Sequence, residues 1–230
     1  MRTGLFRTAL LMGLVGSLLS VGCATSRGVV AAPKVESVNP ESGPAVKLVR
    51  VTDARKFEVA PPQPSTPSLK NGEINDAAIT SRAIARKRNT YGKALGDILL
   101  QEGDTVAELT SDALKKGLRG GGLRVLEEGD AGYAEATPLE AEIEKLWMWF
   151  SPGFWAIHLE FDSLVHVKGA IAPFDDGESF KGYMRVGAQA STEKQWMKTL
   201  QQGLDDLQAN VARALRGEPT PPVQEPPTTP

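Results

Sequence analysis

The 230-residue sequence has one cysteine, Cys23, and two histidines, His158 and His166. A single thiol excludes an intramolecular disulfide and any metal site built from several cysteines. The two histidines stand eight residues apart on one extended run, ~26 Å along the chain, which is too far to share a metal. No serine sits in a G-x-S-x-G setting, and no Lys-Ser/Thr follows Gly120-Gly121-Gly122, so neither a nucleophile elbow nor a phosphate loop is present. Charge of one sign is also lacking: 26 Lys and Arg meet 28 Asp and Glu. That balance argues against a nucleic-acid partner. Nothing here assembles a catalytic constellation, and the expectation is a protein that is not an enzyme.

What is present begins with the first residues. Arg2 and Arg7 form a basic region, residues 9–19 an apolar run, and Ser20-Val21-Gly22-Cys23 a small-residue cleavage site ending on cysteine. The run is too short to span a bilayer. This pattern resembles the bacterial lipobox, with Ser20 standing where leucine is usual. It implies removal of residues 1–22 as a signal peptide and attachment of diacylglycerol and an N-acyl chain to Cys23, with no other cofactor. Ala24 in place of aspartate after the cysteine implies the outer membrane, periplasmic side. Loss of Arg2 and Arg7 leaves 24 basic against 28 acidic side chains.

Residues 23–45 carry Ser, Gly, Pro and Val without a hydrophobic period and read as a flexible tether. Its expected root-mean-square reach is about 25 Å, and its limit about 70 Å. At the other end, residues 217–230 are rich in Pro, Thr, Gln and Glu and read as a disordered tail. The folded domain is thus expected over residues 46–216.

Within it, residues 46–51 form a β-rich run, a proline-containing loop follows, and residues 79–84 and 92–100 are candidate strands. Thr105 and Glu108 have capping-box spacing, so a helix should start there. Val106, Leu109, Ala113, Leu114 and Leu118 share one face of it, and the glycines at 120–122 stop it. Leu139, Ala141 and Ile143 alternate with Glu140, Glu142 and Glu144, and the alternation slips at Lys145, which predicts a bulge. The returning strand carries Trp155, Ile157, Leu159, Phe161, Val165 and Val167 inward, with His158, Glu160, Asp162 and His166 on its solvent side. A last strand over residues 183–190 precedes a second capping box at Thr192 and Gln195. The helix after it has a single apolar stripe from Trp196 through Leu215. The expected fold is α+β: a mainly antiparallel sheet with two amphipathic helices packed on one face.

The run Val49-Arg50-Val51-Thr52-Asp53-Ala54-Arg55 after the tether, the segment from Ala85 to Ile98, and the 105–118 helix with its glycine exit resemble the YajG family of outer-membrane lipoproteins. The resemblance spans about residues 46–215. It is coarsely shared with the PqiC-type auxiliary lipoproteins of lipid-transport systems. It implies a non-enzymatic envelope lipoprotein and transfers no catalytic residue.

Two groups of side chains are candidate contact surfaces. Trp147, Trp149, Phe150, Phe154 and Trp155 crowd one hairpin and either fill a core or meet a partner or lipid interface. Arg86, Lys87 and Arg88, with Arg82 and Lys93 nearby, either form a solvated loop or meet anionic headgroups. The favoured reading is a periplasm-facing binding module, held to the membrane by its lipid, with an envelope protein as partner. The alternative is an auxiliary role in lipid or lipopolysaccharide transport with a lipid ligand, which requires an apolar groove between sheet and helices.

Overall fold

The computed structural model describes residues 27–70, 72–89, 93–152, 157–188 and 192–219. The signal peptide, Cys23, Phe154, Trp155 and the tail beyond residue 219 lie outside these. In chain order the elements are β1 (Gly28–Val30), β2 (Ala45–Asp53), a one-turn α1 (Ala77–Thr80), β3 (Ala83–Arg88), β4 (Ala94–Leu100), α2 (Val106–Gly120), β5 (Arg124–Val125), β6 (Thr137–Pro152), β7 (Ile157–Gly169), β8 (Glu178–Ala188) and α3 (Glu193–Leu215). The expectation of a strand across residues 79–84 is corrected at its start. Asp76 accepts a hydrogen bond from the Ala78 amide at 2.9 Å and caps α1, so the strand begins only at Ala83.

β6 is the spine of the sheet. One edge pairs antiparallel with β7 over its whole length, and β7 pairs antiparallel with β8. The other edge is divided. Its first half pairs parallel with β2, from Val46 opposite Thr137 to Asp53 opposite Ile143, while its second half meets β3 in parallel at Ala85 and Met148. Beyond β2 lies β5, and beyond β3 lie β4 and then β1, the latter again parallel. The α+β class holds, and the long ladders are antiparallel, but parallel pairings of β6 with β2 and β3 make the sheet mixed rather than strictly antiparallel. Strands joined by a tight turn must be antiparallel, whereas β2 and β6 meet only after a crossover of some eighty residues, which frees them to run the same way.

The register shifts between Ile143 and Lys145, where the alternation slips in the sequence. Its effect is a change of face. Ile143, Leu146 and Met148 pack with Phe161, Trp196 and Leu200 on the helix side, while Trp147 and Trp149 turn to the opposite face. Both capping boxes form, Thr105 with Glu108 and Thr192 with Gln195. Each Thr hydroxyl accepts from an amide of the first turn that has no partner within the helix, a contribution of about 1 kcal/mol. α3 lies over β7 and β8, and α2 over β2 and against α3. The two helices are close at Gly117, where a Cβ would stand 2.9 Å from Cβ of Val211.

Residues 28–45 are not a free tether. Gly28, Val29 and Val30 pair with Ile98, Leu99 and Leu100. Further on, Asn39 accepts from the Val125 amide and from Arg119 Nε and donates to the Val125 carbonyl, while Arg119 Nη1 donates to Ser37 Oγ at 2.7 Å. A three-residue strand and a strap held by side-chain hydrogen bonds bury too few apolar groups to leave a hydrophobic period, which is why this docking escapes a reading by pattern.

Candidate functional site

The split edge of β6 leaves backbone carbonyls with no strand opposite them, and Arg55 fills the gap. Its side chain is fully buried. Nη1 donates to the carbonyls of Ala83 at 2.6 Å and Leu146 at 3.1 Å, Nη2 donates to Thr80 at 2.8 Å, and Nε and Nη2 together grip the Asp53 carboxylate at 2.8 and 2.7 Å. The Asp53-Ala54-Arg55 pair at the end of β2 is therefore a structural clamp joining β2, β3 and β6. Its two residues stand out in the sequence, but their role depends on the fork in the sheet.

A second polar group covers the outer face of β7. Glu160 and Asp162 fall on the face expected for them, yet they are 1% and 4% exposed rather than solvated. Long side chains of the flanking strands close over them: Lys145 Nζ stands 2.7 Å from Asp162, Tyr183 Oη donates to Glu160 at 2.7 Å, and Ser151 Oγ also donates to Glu160. Burial, then the bond to Glu160, push the Tyr183 hydroxyl well above the ordinary tyrosine range. A group whose pKa is raised by folding stabilises the fold below its unfolded value and loses that contribution as pH rises through the folded one. Tyr183 is thus expected to be missing from the native phenolate absorbance step and to titrate only as the domain unfolds in alkali. Tyr183→Phe should leave the native absorbance step unchanged, remove one tyrosine from the titration of the unfolded chain, and cost about 1.5–3 kcal/mol in urea unfolding, the size of a hydrogen bond to a charged group. A native absorbance step that shrinks by one tyrosine in Tyr183→Phe would contradict this placement.

The aromatic hairpin divides. Trp147 is fully buried and Trp149 is 3% exposed, packed with Leu69, Ala83 and Leu99 beneath Phe57, Ile74 and Ile79. Phe57 meets Trp147 edge-on at 5.8 Å. Trp147 and Trp149 are therefore core and not contact surface, because the proline-containing loop folds back as their cover. Phe150 packs against the helix-side core.

The basic run is drawn inward as well. Arg88 donates to the Pro61 carbonyl and to Ser68 Oγ, and burial and then Arg86 lower its affinity for its proton. Lys87 stands opposite Gly96 in the β3–β4 ladder. Arg86 stands opposite Asp97 with 3.6 Å between Nη1 and the carboxylate. Asp97 is 1% exposed and also accepts from Arg27 Nη2 at 3.0 Å, while Arg27 reaches Glu73 with the same nitrogen. Arg27, Glu73, Arg86 and Asp97, with Lys70 and Lys93, line an open cleft of about 690 Å³ beside the start of β1, and Lys87 and Arg88 do not. Arg27 and Asp97 were not singled out by sequence; one lay within the presumed tether and the other within an ambiguous extended run.

Glu140, Glu142 and Glu144 are exposed along β6, and Glu140 pairs with Arg50 at 2.6 Å. His166 Nδ1 lies 3.2 Å from Ser179 Oγ, and His158 is half-buried. Among the described residues, no three His, Cys, Asp or Glu side chains are placed to hold a metal ion, and no helix is long and apolar enough to cross a membrane.

No family model and no curated protein matches the chain. The chain is similar to several solved structures, at low identity. An uncharacterised protein matches at 9% identity and a TM-score of 0.46, over 82% of this chain and 97% of that one. A Xanthomonas campestris protein assigned to DUF330 matches at 10% identity and 0.36, over 81% and 91%. A minor lipoprotein from Acinetobacter baumannii matches at 15% identity and 0.31, over 47% and 83%.

Proposed function

We propose that this chain is a non-enzymatic lipoprotein of the bacterial cell envelope, anchored through acylated Cys23 on the periplasmic side of the outer membrane, where its domain holds a protein partner at the membrane. The resemblance of its 46–215 segment to the YajG family supports the same reading. The observation that carries it is the docking of β1. Only three residues separate Cys23 from Arg27, so the first residue of the described domain lies at most about 14 Å from the lipidated cysteine. A domain held that closely acts at the membrane surface rather than tens of ångströms away.

The transport alternative with a lipid ligand gains less. The side chains that would have to part for an acyl groove between sheet and helices, among them Phe161, Trp196, Leu200, Leu204 and Leu207, are fully buried. A transport role would make this chain a scaffold rather than a carrier.

Cys23→Ser, expressed in a Gram-negative host, is expected to move the protein from the membrane to the soluble periplasmic fraction and to abolish palmitate labelling. A variant that stayed on the membrane with its label intact would sink the anchor and the function built on it.

A further inference from the structure

The strand directions bring several features to one end of the domain. β6 ends there at Pro152, β3 runs parallel to β6 and ends at Arg88, and β4, antiparallel to β3, starts there at Ala94. β1 runs parallel to β4, so the chain enters the sheet at this same end, at Gly28. β7 starts and β8 ends there too. The opposite end holds the start of β6, the end of β7 and the β7–β8 connection with Asp175 and Asp176.

The entry end is also where the 690 Å³ cleft opens, lined by Arg27, Lys70, Arg86 and Lys93 against Glu73 and Asp97. Four cations against two anions make the cleft lining positive in a chain whose formal net charge is −2. Arg27, Lys70 and Lys93 are exposed, and Val29, 54% exposed, adds an apolar side chain beside Arg27.

We infer that this end of the domain rests on an anionic phospholipid surface, with the cleft cations facing headgroup phosphates. The inference rests on anchoring through Cys23. Two facts select a bilayer as occupant. The chain leaves the described domain at this end with only three residues before the acylated cysteine, so the membrane is within reach of this end and not of the far one. The local charge is also opposite to that of a phosphatidylglycerol-containing leaflet, which attracts juxtamembrane Lys and Arg. The domain would then stand with β6 and β7 rising from the membrane, its far end about 40 Å out for the 13 residues of β7.

The test uses the mature acylated chain in vesicles of phosphatidylcholine with or without phosphatidylglycerol. Because Cys23 is acylated, Ala94→Cys at the entry end and Asp176→Cys at the far end each introduce the one free thiol for a dye, and a headgroup quencher reports proximity. Both positions are exposed. The expected result is severalfold stronger quenching at position 94 than at 176, enhanced by phosphatidylglycerol and weakened by salt through screening. Lys70→Glu with Lys93→Glu should abolish the enhancement, and the milder Lys70→Gln with Lys93→Gln should reduce it, with the unfolding midpoint checked for each. Equal quenching at both labels on vesicle-bound protein would overturn the orientation while leaving the anchor intact. Quenching indifferent to lipid charge and to both double variants would also overturn it and assign the end to a protein partner. Failure of the acylated chain to float with vesicles would remove the anchor itself, and the orientation with it.

Discussion

Arg55→Met is expected to remove about 3–5 kcal/mol of folding free energy, the cost of breaking a buried charge pair from one side. The loss has two parts. The carbonyls of Thr80, Ala83 and Leu146 lose their charged donor where no strand lies opposite, and the Asp53 carboxylate, with a side chain 20% exposed, loses both of its guanidinium bonds. Each group left without a partner carries its desolvation cost of about 1–3 kcal/mol, with partial relief where water enters. Stability of about 5–15 kcal/mol is usual for a domain, so from roughly a fifth to all of the total is at stake. Urea unfolding should show a lower midpoint with an unchanged slope, since the surface exposed on unfolding stays the same. Arg55→Lys should recover only a minor part, because an ammonium cannot span three carbonyls and a carboxylate as the planar fork does. A shift below about 1 kcal/mol for Arg55→Met would show that the fork in the sheet does not depend on this side chain.

The second large effect is at Gly203, and there two principles predict opposite signs. Gly203 lies inside α3, and by helix propensity Gly203→Ala should stabilise by up to about 1 kcal/mol. Packing says otherwise. A Cβ at 203 would stand 2.1 Å from Cδ1 and 2.4 Å from Cγ of Phe161, which is fully buried and pairs with Met148 and Met184 on the neighbouring strands. The ring cannot swing aside without disturbing its neighbours, and overpacking of this kind costs about 1–3 kcal/mol or more beyond any propensity gain. Net destabilisation is therefore expected, growing for Gly203→Val. Phe161→Leu should partly rescue Gly203→Ala, so that the double variant loses less than the two single losses combined. Additive losses, or a stabilised Gly203→Ala, would mean that α3 sits further from β7 than the structure places it. The approach is tight on the next strand as well: a Cβ at Gly182 would stand 2.8 Å from the Gly203 carbonyl.

These two positions mark the limit of sequence reading. The α3 stripe of Trp196, Leu200, Leu204, Leu207 and Val211 was legible because a helix repeats its buried face every three or four residues. Gly203 lies between two of those leucines and has no side chain to register in the period, so its role appears only once β7 and β8 lie beneath it. The 46–51 run likewise announced a strand, but neither its parallel pairing with β6 nor the clamp that ends it could be read locally.

The candidate site divides in the same way. Arg86, Lys87 and Arg88 were visible as a charge cluster, but the ladder with β4 and the cover formed by residues 57–70 decide what each one meets. Trp147 and Trp149 were read as either core or contact, and the loop carrying Phe57 and Leu69 makes them core.

By itself the sequence determined what short-range physics dictates: both capping boxes, the two helical stripes, the slip of alternation at Lys145, the helix stop at Gly120 and the lipobox pattern ending on Cys23. Each depends on residues a few positions apart, whose backbone geometry brings them together in any fold that keeps the element. The tertiary structure alone decided the forked edge of β6, the burial of Arg55, Glu160 and Asp162, the docking of Gly28–Val30 on β4, and the cover over the tryptophans. These join segments tens of residues apart, and whether such a pair meets depends on the path of all the chain between them.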